Sequence, residues 1–179
     1  MEFQKFPKIA RLNRDCVITE KIDGTNAQIC VTEDMEILAG SRTKWITPED
    51  DNYGFARWVM ENKDELVKKL GVGIHYGEWW GQGIQRKYNM DKKVFSLFNV
   101  HKWGNPEVRP SCCLVVPTLF EGAFITENIT KTIEELKVNG SQASKGFMKP
   151  EGVVIFHKHG SYLFKQTIEN DDKGKSYGA

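Results

Sequence analysis

The chain has 179 residues, with 25 Lys and Arg against 24 Asp and Glu, a formal net charge of +1. That length suits one domain with a full core, and the balanced charge excludes a polybasic coat or a polyacidic tail, so any nucleic-acid contact must come from a local patch. Apolar residues make up 40%, no apolar run approaches the ~18 residues of a membrane span, and the charged N-terminus MEFQKFPKIARLNRD has no apolar signal core, which excludes a disordered chain and a membrane helix and predicts an intracellular, cytoplasmic protein.

In chain order, residues 15–20 (DCVITE) read as a strand, and 26–33 (NAQICVTE) alternate with period two as a second. Asp23-Gly24 between them is a tight-turn signal, so the pair reads as a hairpin-like unit. Residues 35–39 add a short strand. Thr47-Pro48-Glu49-Asp50 has the pattern of a helix start, and Phe55, Trp58, Val59, Leu66 and Leu70 recur at helical spacing until Gly71. Strands follow at 73–79 and 94–100, joined by a glycine-rich basic loop in which Gln85-Arg86-Lys87 with Lys92-Lys93 could meet a phosphate backbone. A buried strand at 113–116, a helix at 126–138 with Ile129, Ile133 and Leu136 on one face, and strands at 152–157 and 161–167 paired through His159-Gly160 complete the pattern. The expected fold class is α+β, built on antiparallel sheets, with one domain over 1–168 and a polar tail over 169–179.

Cys16, Cys30, Cys112 and Cys113 form no CxxC or zinc spacing and read as free thiols in a reducing compartment, with Cys16 and Cys30 buried. His157 and His159 lack a third ligand nearby and read as structural or solvent-facing.

The chemistry centres on Glu20-Lys21-Ile22-Asp23-Gly24-Thr25-Asn26, an amine at a strand-to-turn corner. An ordinary lysine is almost wholly protonated near neutral pH, so a nucleophilic one needs burial, nearby cations or a metal. Lys-x-Asp-Gly is also an ordinary turn. An ordered set of further segments accompanies it: Gly40-Ser41-Arg42, Tyr76-Gly77-Glu78-Trp79, Phe95-Ser96-Leu97-Phe98-Asn99-Val100, Glu151-Gly152-Val153-Val154 and Leu163-Phe164-Lys165. With Lys21-Ile22-Asp23-Gly24 as motif I, this series resembles motifs I to V of the ATP-dependent RNA ligases, a branch of the covalent lysyl nucleotidyltransferases that also holds DNA ligases and mRNA capping enzymes.

The resemblance implies a nucleotidyltransferase (ATP-grasp-like ligase core) fold and a three-step course. Lys21 takes AMP from ATP, the AMP moves to a 5′-phosphate end, and a 3′-hydroxyl displaces it to seal the strand, with Mg²⁺ or Mn²⁺ required. Lys21 and Lys165 are the implied catalytic residues, Lys165 neutralising the α-phosphate. Glu20, Asp23, Gly24, Asn26, Arg42, Glu78, Phe98 and Glu151 are the implied nucleotide-binding set, with Asp23 and Glu151 holding the metal through water and Phe98 stacking on adenine. Each has an ordinary alternative: Arg42 as a surface arginine, Glu78 and Glu151 as solvated carboxylates, Phe98 as core. The implied partners are RNA ends or nicked RNA, with DNA the alternative and no membrane. A DNA ligase core, a capping guanylyltransferase and an inactive nucleic-acid-binding relative are the competing readings.

Two features depart from the family pattern. Leu163 stands where many relatives carry a first motif V lysine, so Lys149 or Lys158 would have to serve instead. The residues after Lys165, 166–179, leave no room for an appended OB-fold, so the chain is expected to be a bare nucleotidyltransferase core, complete or cut from a longer protein.

Overall fold

The computed structural model describes residues 1–171. In chain order it contains β1 (Asp15–Lys21), β2 (Thr25–Val31), β3 (Ile37–Gly40), β4 (Trp45–Ile46), α1 (Phe55–Glu61), α2 (Lys63–Leu70), β5 (Gly73–Gly81), β6 (Lys93–Leu97), α3 (Val100–Trp103), β7 (Cys113–Val115), β8 (Thr118–Ala123), α4 (Thr126–Asn139), β9 (Gly152–His157) and β10 (Tyr162–Thr167). The strands make two sheets, ordered β10-β9-β1-β8 and β4-β3-β2-β5-β6-β7. The chain gathers into two compact units: Met1–Lys21 with Thr118–Gln142 and the segment from Met148, and Ile22–Pro117 with Ala143–Phe147.

The first unit holds the four-stranded sheet. Cys16 and Ile18 on β1 join Val153 and Ile155 on β9 in a core that Ile133 and Leu136 of α4 cover. The helical spacing of Ile129, Ile133 and Leu136 gives α4 the apolar stripe that makes this packing possible. Each fully buried aliphatic side chain of this kind contributes roughly 1.5–3 kcal/mol. His157 lies in the same unit as a structural histidine: Nδ1 accepts from Gly160 N at 3.0 Å, and Nε2 donates to the Leu12 carbonyl at 2.9 Å.

The second unit holds the six-stranded sheet. One face, carrying Ala27, Ile29, Ala39, Trp79, Phe95 and Leu97, packs against Phe55, Val59, Leu66 and Leu70 of α1 and α2. Phe55, Trp58, Trp79 and Phe95 form an aromatic cluster with ring centroids 5.1–5.8 Å apart. A second cluster gathers Ile22, Trp80, Tyr88, Val116 and Phe147.

Several expectations are corrected. Segments 15–20 and 26–33 do not pair: β1 runs between β8 and β9, while β2 runs between β3 and β5. The amides of the intervening turn explain why, since they donate to side chains rather than across a hairpin: Asp23 N to the Tyr88 hydroxyl at 2.8 Å and Gly24 N to Glu78 Oε1 at 3.1 Å. The helix expected from Thr47 begins only at Phe55. The Asp51 carboxylate is its cap, accepting from the amides of Asn52, Ala56 and Arg57 at 2.7, 2.8 and 3.1 Å. It also breaks at Asn62 into α1 and α2. The strand expected over 94–100 ends at Leu97, because Asn99 caps α3 through Lys102 N at 3.1 Å. The sheets are antiparallel except that β6 and β7 run parallel, and β8 and β4 escaped the sequence reading. Cys30 is half-buried rather than buried, because it lies on the open face of the second unit's sheet. Of the expected tail, residues 172–179 lie outside the described residues, while Asp171 accepts from Thr167 N at 2.8 Å.

Candidate active site

Lys21 closes β1, and Ile22 opens the second unit. In the first unit the Lys21 ammonium reaches Glu151 Oε2 at 2.6 Å; Glu151 is 4% exposed and Lys21 20%. Glu151 sits just before β9, whose first residue, Gly152, is in register with Lys21. Lys165 on β10 pairs in register with Val154, which faces Thr19 on β1. Directly opposed residues of antiparallel strands share a face, so Lys21 and Lys165 stand on one face of this sheet, two strands apart. Glu20 points the other way. It is buried, and its carboxylate accepts from Ser141 Oγ at 2.6 Å and Gln142 N at 2.7 Å. That side chain pins the loop after α4, so only the backbone of Glu20 is left for a ligand.

The two substitutes considered for the first motif V lysine separate here. Lys158 pairs with Glu121, which raises its pKa, and its amide donates to the carbonyl of Asp15, at the opposite end of β1 from Lys21. A seven-residue strand is ~20 Å long, so Lys158 is not that substitute. Lys149, two residues before Glu151, is exposed.

In the second unit, Glu78 is buried in β5. Its two oxygens accept from Gly24 N and Asn26 Nδ2, each at 3.1 Å. Gly24 has no room for a side chain: a Cβ there would meet the Trp79 carbonyl oxygen at 2.5 Å and Trp80 Cβ at 2.7 Å. Asp23 receives Arg86 Nε at 3.0 Å. The basic loop is thus partly used inside the protein, with Arg86 on Asp23 and Lys93 Nζ on the Tyr53 carbonyl at 2.9 Å. Phe98 follows β6; its amide donates to the Tyr76 carbonyl at 3.0 Å, and its ring is 40% exposed rather than core. Arg42 is exposed in the turn between β3 and β4.

Sequence reading missed Tyr88. It is fully buried, with its ring 4.5 Å from Phe147 and 5.1 Å from Trp80 between centroids. It lies in a loop where Gln85, Lys87, Tyr88 and Asn89 all adopt positive φ, a conformation that costs energy and persists only where the surroundings enforce it. Nothing local in QRKYNMDKK marks that tyrosine as the acceptor for the Asp23 amide. A loop contracted around several left-handed residues was the available signal, and only the backbone shows it.

Two oxygen-donor carboxylates, Glu151 and Asp23, each hold a cationic side chain. Both positions therefore favour positive charge and suit a hard divalent cation by charge and donor type. Among the described residues no three His, Cys, Asp or Glu converge on a metal position, so a cation held at either carboxylate keeps most of its waters.

The family model described as RNA ligase matches residues 14–169. No curated protein matches the sequence. Solved structures of the Naegleria gruberi RNA ligase are similar to this chain. A lysine-to-methionine mutant with AMP and Mn is 19% identical, with a TM-score of 0.65, over 87% of this chain and 50% of that one. An arginine-to-alanine mutant with ATP and Mn is 19% identical at a TM-score of 0.67, over 88% and 51%. The ligase with PPi is 20% identical at 0.63, over 86% and 49%. The chain spans about half the length of those structures. At this identity the likeness establishes the fold alone, a mixed α+β arrangement built mainly on antiparallel sheets.

Proposed function

This chain belongs to the RNA ligase family, and from that membership we propose that it is an ATP-dependent polynucleotide ligase acting on RNA ends, with residues 1–168 as its nucleotidyltransferase domain. The observation that carries the proposal is the Lys21–Glu151 pair, an amine at the end of a strand held at 2.6 Å by a buried carboxylate. Lys21 Nζ attacks the α-phosphorus of ATP. The bond to pyrophosphate breaks as the N–P bond forms, and the amine sheds its proton. Glu151 orients the amine and is within hydrogen-bond reach of that proton.

Lys165 faces the α-phosphate as a point charge, with Lys149 the neighbour that could supply the missing motif V cation. Glu78 fixes the turn through Gly24 and Asn26; each of its oxygens keeps capacity to accept from ribose hydroxyls. Arg42 offers a planar fork to phosphate or ribose, and Phe98 presents an exposed ring to adenine. Glu151 and Asp23 would hold Mg²⁺ or Mn²⁺, which neutralises developing phosphate charge when bound. A cytoplasmic location accords with the four free cysteines; among the described residues no helix is long and apolar enough to cross a membrane.

Incubation with α-labelled ATP and Mg²⁺ or Mn²⁺ tests the assignment. The wild-type chain gains covalent AMP by label and intact mass, and Lys21→Ala and Lys21→Arg gain none. Lys21→Ala leaves Glu151 buried without its lysine, a loss of about 3–5 kcal/mol for a fully buried pair and less for this partly exposed one. Lys21→Arg keeps the ion pair and so separates lost chemistry from lost folding. Label retained by both variants overturns the assignment, and GMP in place of AMP makes the chain a guanylyltransferase. Sealing assays on matched RNA and DNA nicks decide the strand.

A further inference from the structure

The second unit's sheet is covered by helices on one face only, and the register sets a row of residues straight across its open face. Trp45 on β4 pairs with Gly40 on β3, Gly40 with Gln28 on β2, and Gln28 with Tyr76 on β5. Phe98 continues the row, since its amide bonds the Tyr76 carbonyl. Opposed residues share a face, so all five side-chain positions lie on this side. Three of the five are aromatic and open to solvent: Trp45 is 48% exposed, Tyr76 57% and Phe98 40%.

Gly40 belongs to the same device. A Cβ there would lie 3.0 Å from Cε3 of Trp45 and 2.7 Å from Cγ of Gln28, so the glycine lets the indole lie down against the sheet. With strands ~4.8 Å apart, Trp45 stands ~14 Å from Tyr76, and Phe98 ~5 Å beyond it. Exposed rings on a bare sheet are costly to leave in water and are good surfaces for flat, polarisable partners. The row contains no carboxylate; in the β3–β4 turn beside Trp45, Arg42 is exposed and the Lys44 ammonium pairs with the exposed Asp50 carboxylate.

We propose that Trp45 and Tyr76 extend the Phe98 position into a stacking platform for the unpaired bases of an RNA strand, with Arg42 beside its backbone. The platform takes single-stranded RNA rather than duplex, because only unstacked bases present a face to a protein ring. It rests on the ligase reading above for why an RNA strand is brought here, and it adds the class of end: one flanked by unpaired nucleotides.

Trp45 is the one exposed tryptophan among the described residues; Trp58 is half-buried and Trp79, Trp80 and Trp103 are buried. Its fluorescence therefore reports the platform directly. An oligo(rU) 10-mer is titrated against the full chain, with the same strand annealed to oligo(rA) as the duplex arm. Quenching by the single strand is expected, with weaker binding of the duplex. Trp45→Ala removes the quench, and Trp45→Ala and Tyr76→Ala each weaken anisotropy-detected binding about tenfold or more, while Trp45→Phe and Tyr76→Phe keep most of it. Far-UV circular dichroism checks that the alanine variants fold. Unchanged affinity in folded alanine variants, equal or tighter duplex binding, or no binding by the wild-type chain overturns the platform. So does concentration-dependent quenching without RNA, which makes this face an interface between copies. Intact mass after ATP, read on the same wild-type sample, fails separately: a chain that takes AMP but ignores oligo(rU) refutes the platform and leaves the ligase reading standing. Oligo(rU) binding without AMP does the reverse.

Discussion

Tyr88 holds the segment after Lys21 from outside it. Its hydroxyl accepts the Asp23 amide at 2.8 Å, and Arg86, two residues earlier, takes the Asp23 carboxylate at 3.0 Å. Tyr88→Phe keeps the ring in its pocket and removes the acceptor, leaving an amide unsatisfied at a cost of about 1–3 kcal/mol. Urea denaturation should show that loss, and transfer of AMP to Lys21 should slow. Unchanged stability and labelling would show that the contact does not hold the turn. Lys21, Asp23, Glu78 and Glu151 were legible in the sequence because motif spacing marks residue types whose chemistry is needed. Tyr88, Arg86 and Ser141 were not, because they meet Asp23 and Glu20 across 65, 63 and 121 residues of chain, and local pattern carries no trace of such pairings.

At the scale of elements, the helix start shows how a good local signal loses. Thr47-Pro48-Glu49-Asp50 has the composition of a cap, yet Thr47 Oγ1 accepts only Asp50 N, at 3.3 Å. Asp51 accepts three amides, two of them in the first turn of α1, and a carboxylate there also suits the positive end of the helix. Asp51→Ala should cost about 1–2 kcal/mol by chemical denaturation and Thr47→Ala well under ~1 kcal/mol; the reverse order would restore the expected cap. The absent hairpin has the same kind of cause. Strand existence followed from alternation in 26–33, but pairing depends on which partner buries more. β1 gains β8 and β9 on its two edges and β2 gains β3 and β5, so neither strand has an edge left for the other.

Across the whole molecule, neither unit is a continuous stretch: the chain passes from one to the other after Lys21, Pro117, Gln142 and Phe147. Non-local pairing of this kind slows folding, and a titratable group buried in such a core makes stability depend on pH. His75 is the clearest test. It is buried, its Nε2 lies 2.9 Å from the Gly71 carbonyl, and its edge meets Trp103. Burial, with Lys102 nearby, holds its pKa below the ordinary 6.5, against the pull of that hydrogen bond. The unfolded chain therefore takes up the proton first as pH falls. His75 favours the fold fully above about pH 6.5, and that contribution is lost progressively as pH drops from there toward the folded-state value. Wild-type Tm should fall over that window more steeply than that of His75→Gln. Parallel curves for the two proteins would remove His75 from the acid response.

Composition, period and motif order by themselves determined the α+β class, the positions of most strands, and the amine and carboxylates that carry the proposed chemistry, because each depends on residue type and short spacing. Tertiary structure alone decided which strands pair, that Glu20 and Arg86 serve as braces, that Lys158 stands at the far end of β1, and that Trp45, Tyr76 and Phe98 line up across three separate segments. The reason is physical: hydrogen-bond partners and shared faces are set by register between distant strands, and a one-residue slip in that register reverses every side chain.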